Sequence, residues 1–268
     1  MLKDITLGQY LPGDTMVHKL DPRTKIMLTI IYISMVFFVK GPVFYVFPLV
    51  YVVCASWLSK VPFQLMCKSI KPLRFLLILT FILNLFFSAG TTVLFSVWII
   101  RITQEGLLTA IHFSMRLIFL VIGTSLLTLT TSPIALSDAI ENLLTPLKVI
   151  RFPAHELAMM MTIALRFIPT LIEETDKIMK AQMARGADFE SGNLIARAKA
   201  MIPLLVPLFV SAFRRAGDLA MAMESRCYHG GEGRTRLRIL RYSQNDAFAF
   251  LFSLVFLVAT ILTGVYFS

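Results

Sequence analysis

The 268-residue chain is 57% hydrophobic, has a mean hydropathy of +0.75, and carries 26 Lys and Arg against 16 Asp and Glu, a net charge of +10. That apolar content exceeds ordinary globular usage and excludes a typical water-soluble domain. The three cysteines (Cys54, Cys67, Cys227) are odd in number and far apart, so they outline neither a metal site nor a disulfide framework.

In chain order, residues 1–25 are polar and charged, unlike the short basic start and apolar stretch of a cleavable leader. Charge-poor runs follow at 26–39, 41–59, 75–100, 106–131 and 247–268. A bilayer core of about 30 Å needs about 20 helical residues, so these runs predict five membrane spans. The first is short, which predicts that Arg23, Lys25 and Lys40 snorkel to the interfaces. Lys40-Gly41-Pro42 reads as a tight turn joining the first two spans. The run 75–100 is too long for one crossing. We end that span near Ala89-Gly90 and expect 93–100 to be an interfacial segment with Trp98 at headgroup level.

Between spans four and five, residues 132–245 read as three helices. Ser132 is an N-cap and Pro133 a first helical residue. Leu136, Ile140, Leu143, Leu144 and Leu147 then repeat at helical spacing, opposite Asp138, Glu141, Asn142 and Lys148. The second helix is expected from about His155 to Ala184, apolar in its first half (157–168) and charged in its second. The third is expected from about Leu194 to Arg226, bent at Pro203 and Pro207. The two ends align as Ala181-Gln182-Met183-Ala184-Arg185 and Ala222-Met223-Glu224-Ser225-Arg226. Gly186 is placed to stop the second helix.

A lone arginine at a helix end is explained by the negative end of the helix dipole. Two in matched settings point instead to contact with two similar partners, because arginine's planar fork suits a partner carboxylate and lysine does not reproduce it. In the fourth span, His112 and Arg116 stand one turn apart. Two readings are open for them: packing against other helices, or contact with a substrate-binding partner.

Catalysis and several transport classes lose ground on the same residues. Gly8 and Gly13 have phosphate-loop spacing, but Asp14 stands where the loop needs lysine. No strand precedes the Gly230–Gly233 cluster, which is read as a turn. Neither His-Glu-x-x-His nor Gly-x-Ser-x-Gly occurs, and no Asp or Glu lies within the five expected spans, unlike an ion-coupled carrier. A channel does not account for the elaborate 132–245 loop. The basic excess is a positive-inside signal rather than a nucleic-acid footprint. Lys3, Lys19, Arg23, Lys25, Lys60, Lys68, Lys71, Arg74 and every Lys and Arg of the 132–245 loop fall on one side, against Lys40 and Arg101 on the other.

These features resemble, over essentially the whole chain, the transmembrane coupling subunit (T component) of energy-coupling factor (ECF) vitamin transporters. The marks are Gly8-Gln9-Tyr10-Leu11-Pro12-Gly13-Asp14, then His18-Lys19-Leu20-Asp21-Pro22-Arg23. Two arginine tripeptides follow, Ala184-Arg185-Gly186 and Ser225-Arg226-Cys227, the second within Glu224-Ser225-Arg226-Cys227-Tyr228-His229-Gly230-Gly231-Glu232-Gly233-Arg234-Thr235. The resemblance implies an all-α polytopic membrane protein of about five spans with a helical coupling domain whose two long helices cross like an X. Domains 1–131, 132–245 and 246–268 are expected.

It also implies that Arg185 and Arg226 enter grooves on two related ABC ATPase subunits, which themselves bind ATP and Mg, so that this chain needs no cofactor and is not an enzyme. The membrane part would hold a separate, hydrophobic substrate-binding subunit, and the complex would import vitamins or micronutrients across a prokaryotic plasma membrane. Ser225 and Cys227 depart from the Ala-Arg-Gly pattern, and Cys227 is expected to lengthen or redirect its helix end. The rival is a conventional ABC-importer permease with its own substrate pathway. Glu190-Ser191-Gly192 and the following prolines resemble the coupling loop of such permeases, which has one helix-tip contact per subunit.

The charge asymmetry predicts a cytosolic N-terminus and an extracellular C-terminus. A cysteine at Thr91 should then react with an impermeant thiol reagent in intact cells, and one at Ser191 should not. Reversed labelling would reject this topology.

Overall fold

The structure, a computed structural model, describes residues 10–88, 92–97, 100–150, 152–189, 193–231 and 240–266. Its regular secondary structure in these residues is helical apart from one short hairpin. The expectations placed on Gly8-Gln9, Ala89-Gly90, Trp98, Glu190–Gly192 and Gly233 fall outside them. The chain divides into two compact units, one comprising Gly8–Ala139 and Ile239–Ser268, the other Ile140–Arg238.

The first unit contains α1 (Met16–Lys19), α2 (Pro22–Phe38), α3 (Val46–Ser59), α4 (Phe63–Lys68), α5 (Arg74–Phe87), β1 (Val93–Val97), β2 (Ile100–Thr103) and α6 (Gln104–Thr130). α7 (Pro133–Leu144) starts in this unit, and α10 (Gln244–Tyr266) closes it. The second unit holds the remainder of α7, then α8 (Ala154–Ala184) and α9 (Leu194–Glu224).

Among the described residues, six helical stretches are long and apolar enough to cross a membrane: Pro42–Ser59, Phe63–Phe87, Gln104–Thr130, Ala154–Ala184, Arg197–Glu224 and Gln244–Tyr266. The chain is a multi-pass membrane protein. α2, 17 residues long, is not among the six, whereas α8 and α9 qualify through their apolar halves.

Two local features add detail to the sequence reading. The segment before the third expected span contains Phe63–Lys68, which forms α4 and buries Met66. The expected interfacial segment is an antiparallel hairpin pairing Val97 with Ile100 and Phe95 with Ile102. Its strands are rich in Val, Ile and Thr, residues that favour a pleated backbone, and two residues separate them. Thr103 then caps α6 by accepting a hydrogen bond from the Gly106 N–H (3.1 Å).

The core lies where α2, α3 and α6 meet, around Tyr32, Met35, Val36, Val52, Phe119 and Ile122. Gly123 is required there: a Cβ would fall 2.0 Å from the Tyr32 ring. That close approach brings the Tyr32 hydroxyl to the Phe119 carbonyl (2.8 Å). Tyr51 of α3 shares a hydrogen bond with Ser253 of α10 (2.9 Å). Such bonds hold membrane helices together where lipid offers polar groups no alternative partner.

The segment His18–Arg23, a family mark without an assigned role, is a polar knot at the start of α2. Asp21 caps the helix by accepting from the Arg23 N–H (2.9 Å), and the Arg23 guanidinium grips both Asp21 carboxylate oxygens (3.1 and 2.9 Å) while stacking over Tyr242. Burial by itself would raise the Asp21 pKa. The hydrogen bonds and charge of Arg23 outweigh it and hold the carboxyl below its ordinary value. Asp246, 3% exposed at the start of α10, accepts from the Asp21 and Ser243 backbone N–H groups (2.8 and 2.7 Å).

Lys25 does not snorkel outward. It is 6% exposed, and its ammonium donates to the His18 and Thr130 carbonyls (3.1 and 2.9 Å). The knot therefore ties α1 and α2 to the end of α6 and the start of α10. The Asp21 cap with Pro22 at the first helical position also starts α2 four residues upstream of the expected span.

Asp246→Ala would strand two backbone donors. Because a hydrogen bond to a charged acceptor contributes about 1.5–3 kcal/mol, this variant should lower the thermal midpoint of the purified chain measurably. Asp246→Asn, which keeps an acceptor, should lower it less. Asp21 contributes fully above the ordinary carboxylate pKa of about 3.9 and loses its contribution as the pH falls through its lower folded-state value. Wild type and Asp21→Asn should therefore differ in stability at neutral pH and converge in acid. An unchanged midpoint for Asp246→Ala would reject the knot.

Candidate functional site

The two long helices of the second unit pack antiparallel. Ile163, Phe167 and Leu171 on α8 face Ala212, Ala216, Leu219, Ala220 and Met223 on α9 across a cleft of about 300 Å³. Further along α8, Glu174 meets Ser211 and Arg215, and Gln182 meets Pro203. Contacts thus run up α8 as they run down α9. Ala212, Ala216 and Ala220 recur every four residues, which places three small side chains on one face and lets the helices approach closely.

Both helices run through internal prolines, Pro169 in α8 and Pro203 and Pro207 in α9. Pro207 has no N–H to offer the Pro203 carbonyl one turn back. The Gln182 side-chain amide donates to that carbonyl instead, at 3.4 Å. Near the start of α8, His155 Nδ1 lies 2.9 Å from Glu141 Oε1. Gly231, beyond the end of α9, sits against the same histidine, where a Cβ would fall 2.5 Å from the His155 ring.

The two arginine tripeptides close their helices in the same way. After α8, the Gly186 N–H donates to the Met183 carbonyl and the Ala187 N–H to the Gln182 carbonyl, both at 3.0 Å. After α9, the Cys227 N–H donates to the Glu224 carbonyl (2.9 Å) and the Tyr228 N–H to the Met223 carbonyl (3.0 Å). This paired pattern is the Schellman closure, which requires a left-handed residue just past the cap. Gly186 supplies it with φ +89° and Cys227 with φ +57°. Cys227 therefore neither lengthens nor redirects the helix end, although a side chain in that conformation costs about 1–2 kcal/mol that glycine avoids.

In each closure the residue before the left-handed one is the arginine, and its N–H donates three residues back, Arg185 to Gln182 (3.0 Å) and Arg226 to Met223 (3.1 Å). Ala184, Arg185, Gly186, Ser225, Arg226 and Cys227 are all exposed. Because the helices are antiparallel, the two arginines stand at opposite ends of the pair, with Gln182 of the first tip opposite Pro203, which separates them along α9 by about 40 Å. They are not brought together. The arrangement presents two equivalent cationic tips in two separate places.

His112 and Arg116 do meet. The Arg116 guanidinium donates to His112 Nε2 (2.8 Å) and lies over the rings of Phe37 and Phe113, 5.5 and 5.3 Å from their centroids. The Tyr45 hydroxyl donates to the His112 carbonyl (3.1 Å). Arginine offers only donors, so Nε2 is the accepting nitrogen and Nδ1 carries the proton. That Nδ1 and Arg116 Nε are buried without hydrogen-bond partners.

Sequence reasoning missed Glu174, Ser211, Arg215 and Gln182 as cross-helix contacts. The available signal was Ser211 and Arg215 standing four residues apart on one helix face. Among the described residues no cluster of His, Cys, Asp or Glu is arranged to hold a metal ion.

Residues 13–237 match the family model CbiQ, described as cobalt transport protein. The chain is 54% identical over 262 residues to the energy-coupling factor transporter transmembrane protein EcfT of Thermosediminibacter oceani, covering 98% of each chain. It is 54% identical over 267 residues to that of Clostridium kluyveri (99% of each) and 46% identical over 259 residues to that of Bacillus subtilis (97% of each). The chain belongs to the CbiQ family, and its full-length relatives include energy-coupling factor transporter transmembrane proteins.

Proposed function

We propose that this chain is the energy-coupling scaffold of an ECF-type importer, passing ATP-driven motion from two related ABC ATPase subunits to a separate hydrophobic membrane subunit that binds the vitamin or micronutrient. The observation that carries this reading is the pair of identical helix closures, each with an exposed arginine at the same position, at opposite ends of one antiparallel pair. One such tip would serve a single contact. Two equivalent tips about 40 Å apart suit two equivalent grooves on an ATPase pair. The names of the full-length relatives support the same reading and do not favour a conventional permease.

In this mechanism the chain has no catalytic residues and holds no cofactor, since ATP and Mg belong to the ATPases. Ala184, Arg185 and Gly186 form one contact and Ser225, Arg226 and Cys227 the other. Both lie in a cytosolic coupling domain, residues 132–245, between membrane parts 1–131 and 246–268, with the N-terminus inside and the C-terminus outside. When the ATPases close, the tips are displaced, and the apolar stretches 157–168 and 201–213 carry the displacement to the membrane partner. Met201, Ile202, Leu205, Val206, Phe209 and Phe213 are exposed along that face of α9. The movement requires contacts that differ between the ATPase states.

His112 and Arg116 serve packing in this reading, because the guanidinium is engaged by His112, Phe37 and Phe113 of the same chain. Arg116→Leu should leave recovery of the substrate-binding subunit intact. Its loss, with the ATPases retained, would reassign the pair to partner contact.

Truncating one member of a desolvated, hydrogen-bonded charge pair costs about 2–5 kcal/mol, a loss of about thirty-fold to several-thousand-fold in affinity. Arg185→Ala and Arg226→Ala should each weaken ATPase copurification without lowering membrane insertion, and the double variant should be worse than either. Arg185→Lys should rescue poorly, since a point charge cannot form the bidentate fork. Arg197→Ala, which removes an arginine near the start of α9, is the matched control. A double variant that binds both ATPases and transports normally would refute the assignment.

A further inference from the structure

We infer that Glu174, Ser211, Arg215 and Gln182 are positioning residues that lock the register of α8 against α9 and so set the placement of the two arginine tips relative to each other. This rests on the docking role proposed for Arg185 and Arg226, and it concerns how that role is transmitted.

The apolar contact between the helices does not by itself choose a register. The alanines of α9 recur every four residues, so a slide of one turn, about 5.4 Å, again puts alanine opposite two of Ile163, Phe167 and Leu171. Directional bonds remove that degeneracy. Both oxygens of the Glu174 carboxylate are engaged by one face of α9: Oε1 accepts from the Ser211 hydroxyl and Oε2 from the Arg215 guanidinium. One turn of sliding in either direction would carry one of the two donors out of reach and break the two-oxygen engagement. The Glu174 and Arg215 side chains are 22% and 37% exposed, half-shielded rather than free on the surface.

The second tie has a different chemical origin. Pro207 deprives the Pro203 carbonyl of its helical donor, as Pro203 does the Lys199 carbonyl one turn earlier, and the Gln182 amide fills the first of these acceptors. Gln182 is also the residue whose own carbonyl accepts the Arg185 and Ala187 N–H bonds of the α8 closure. The tip carrying Arg185 is thus bonded through one residue to the opposite helix. Lateral displacement of that tip moves α9, and with it the end carrying Arg226, as one body.

The test uses the assembled complex, measuring ATPase copurification, ATP hydrolysis and substrate uptake in vesicles. Glu174→Ala and Gln182→Ala should keep ATPase docking and hydrolysis near wild type, because each arginine retains its local closure. Uptake per ATP should fall by about tenfold, since misplacement of a positioned group by about 1 Å can cost as much as a hundredfold. Glu174→Arg, which sets two guanidinium groups face to face, should be worse, and the swap Glu174→Arg with Arg215→Glu should recover most of the loss. Should Glu174→Ala insert poorly, the swapped pair and Ser211→Ala still decide.

Full uptake in Glu174→Arg, or failure of the swap to recover an inserted protein, would overturn the register lock. Loss of ATPase docking in these variants would also overturn it, by making the residues part of the contact itself. The docking reading fails separately, if Arg185→Ala with Arg226→Ala leaves copurification unchanged in the same assay.

Discussion

The coupling unit depends on the alanine stripe of α9. Ala212, Ala216 and Ala220 leave room for Ile163, Phe167 and Leu171 of α8, and the two helices share an interface over much of their length only because those side chains are small. Antiparallel pairing follows from the short connection between the end of α8 at Ala184 and the start of α9 at Leu194. Once that pairing exists, the C-terminal ends of the two helices must point in opposite directions. The distant placement of Arg185 and Arg226 is therefore a consequence of how the interface packs.

The helix ends show how one backbone geometry is reached from different residues. A Schellman closure demands a residue at positive φ, which glycine adopts freely and a side chain adopts at a cost. Gly186 meets the demand directly. Cys227 meets it at φ +57° because the Cys227 and Tyr228 N–H groups each find a carbonyl of the preceding turn. In both cases the arginine precedes the left-handed residue and sits where the carbonyl ends of the helix give a negative field. The helix dipole by itself favours a cation at this position, so the docking role proposed for these arginines asks for no residue that the helix end would oppose.

In the membrane unit, several buried polar side chains reach partners across helices. Tyr32 bonds a backbone carbonyl, Tyr51 bonds Ser253, and the Lys25 ammonium bonds two carbonyls. Away from water, such bonds offset the cost of burying a polar group. The knot around Asp21 and Asp246 gathers the costliest of these groups at helix ends, where unpaired backbone N–H groups are available to carboxylates. Arg116 is the exception in position, since it lies in the middle of α6, and aromatic faces with His112 stand in for an acidic partner.

Local chemistry made several features legible in the sequence alone. Four of the apolar runs marked helices long and apolar enough to cross a membrane, Ser132-Pro133 marked the start of α7, and the repeated Ala-x-x-x-Arg endings marked the tips of α8 and α9. These signals are encoded within a few residues, so they survive without knowledge of neighbours. Tertiary structure alone decided that Asp246 bonds the backbone of Asp21, that Gly123 must lack a side chain beneath Tyr32, and that Glu174 reaches Ser211 and Arg215. It also decided that Lys25 turns inward and that Val93–Val97 pairs with a second strand. Each of these depends on which segment packs opposite. A side chain's spacing along its own helix says which face it occupies, whereas the partner waiting on that face is set by the register between helices, which no single segment contains.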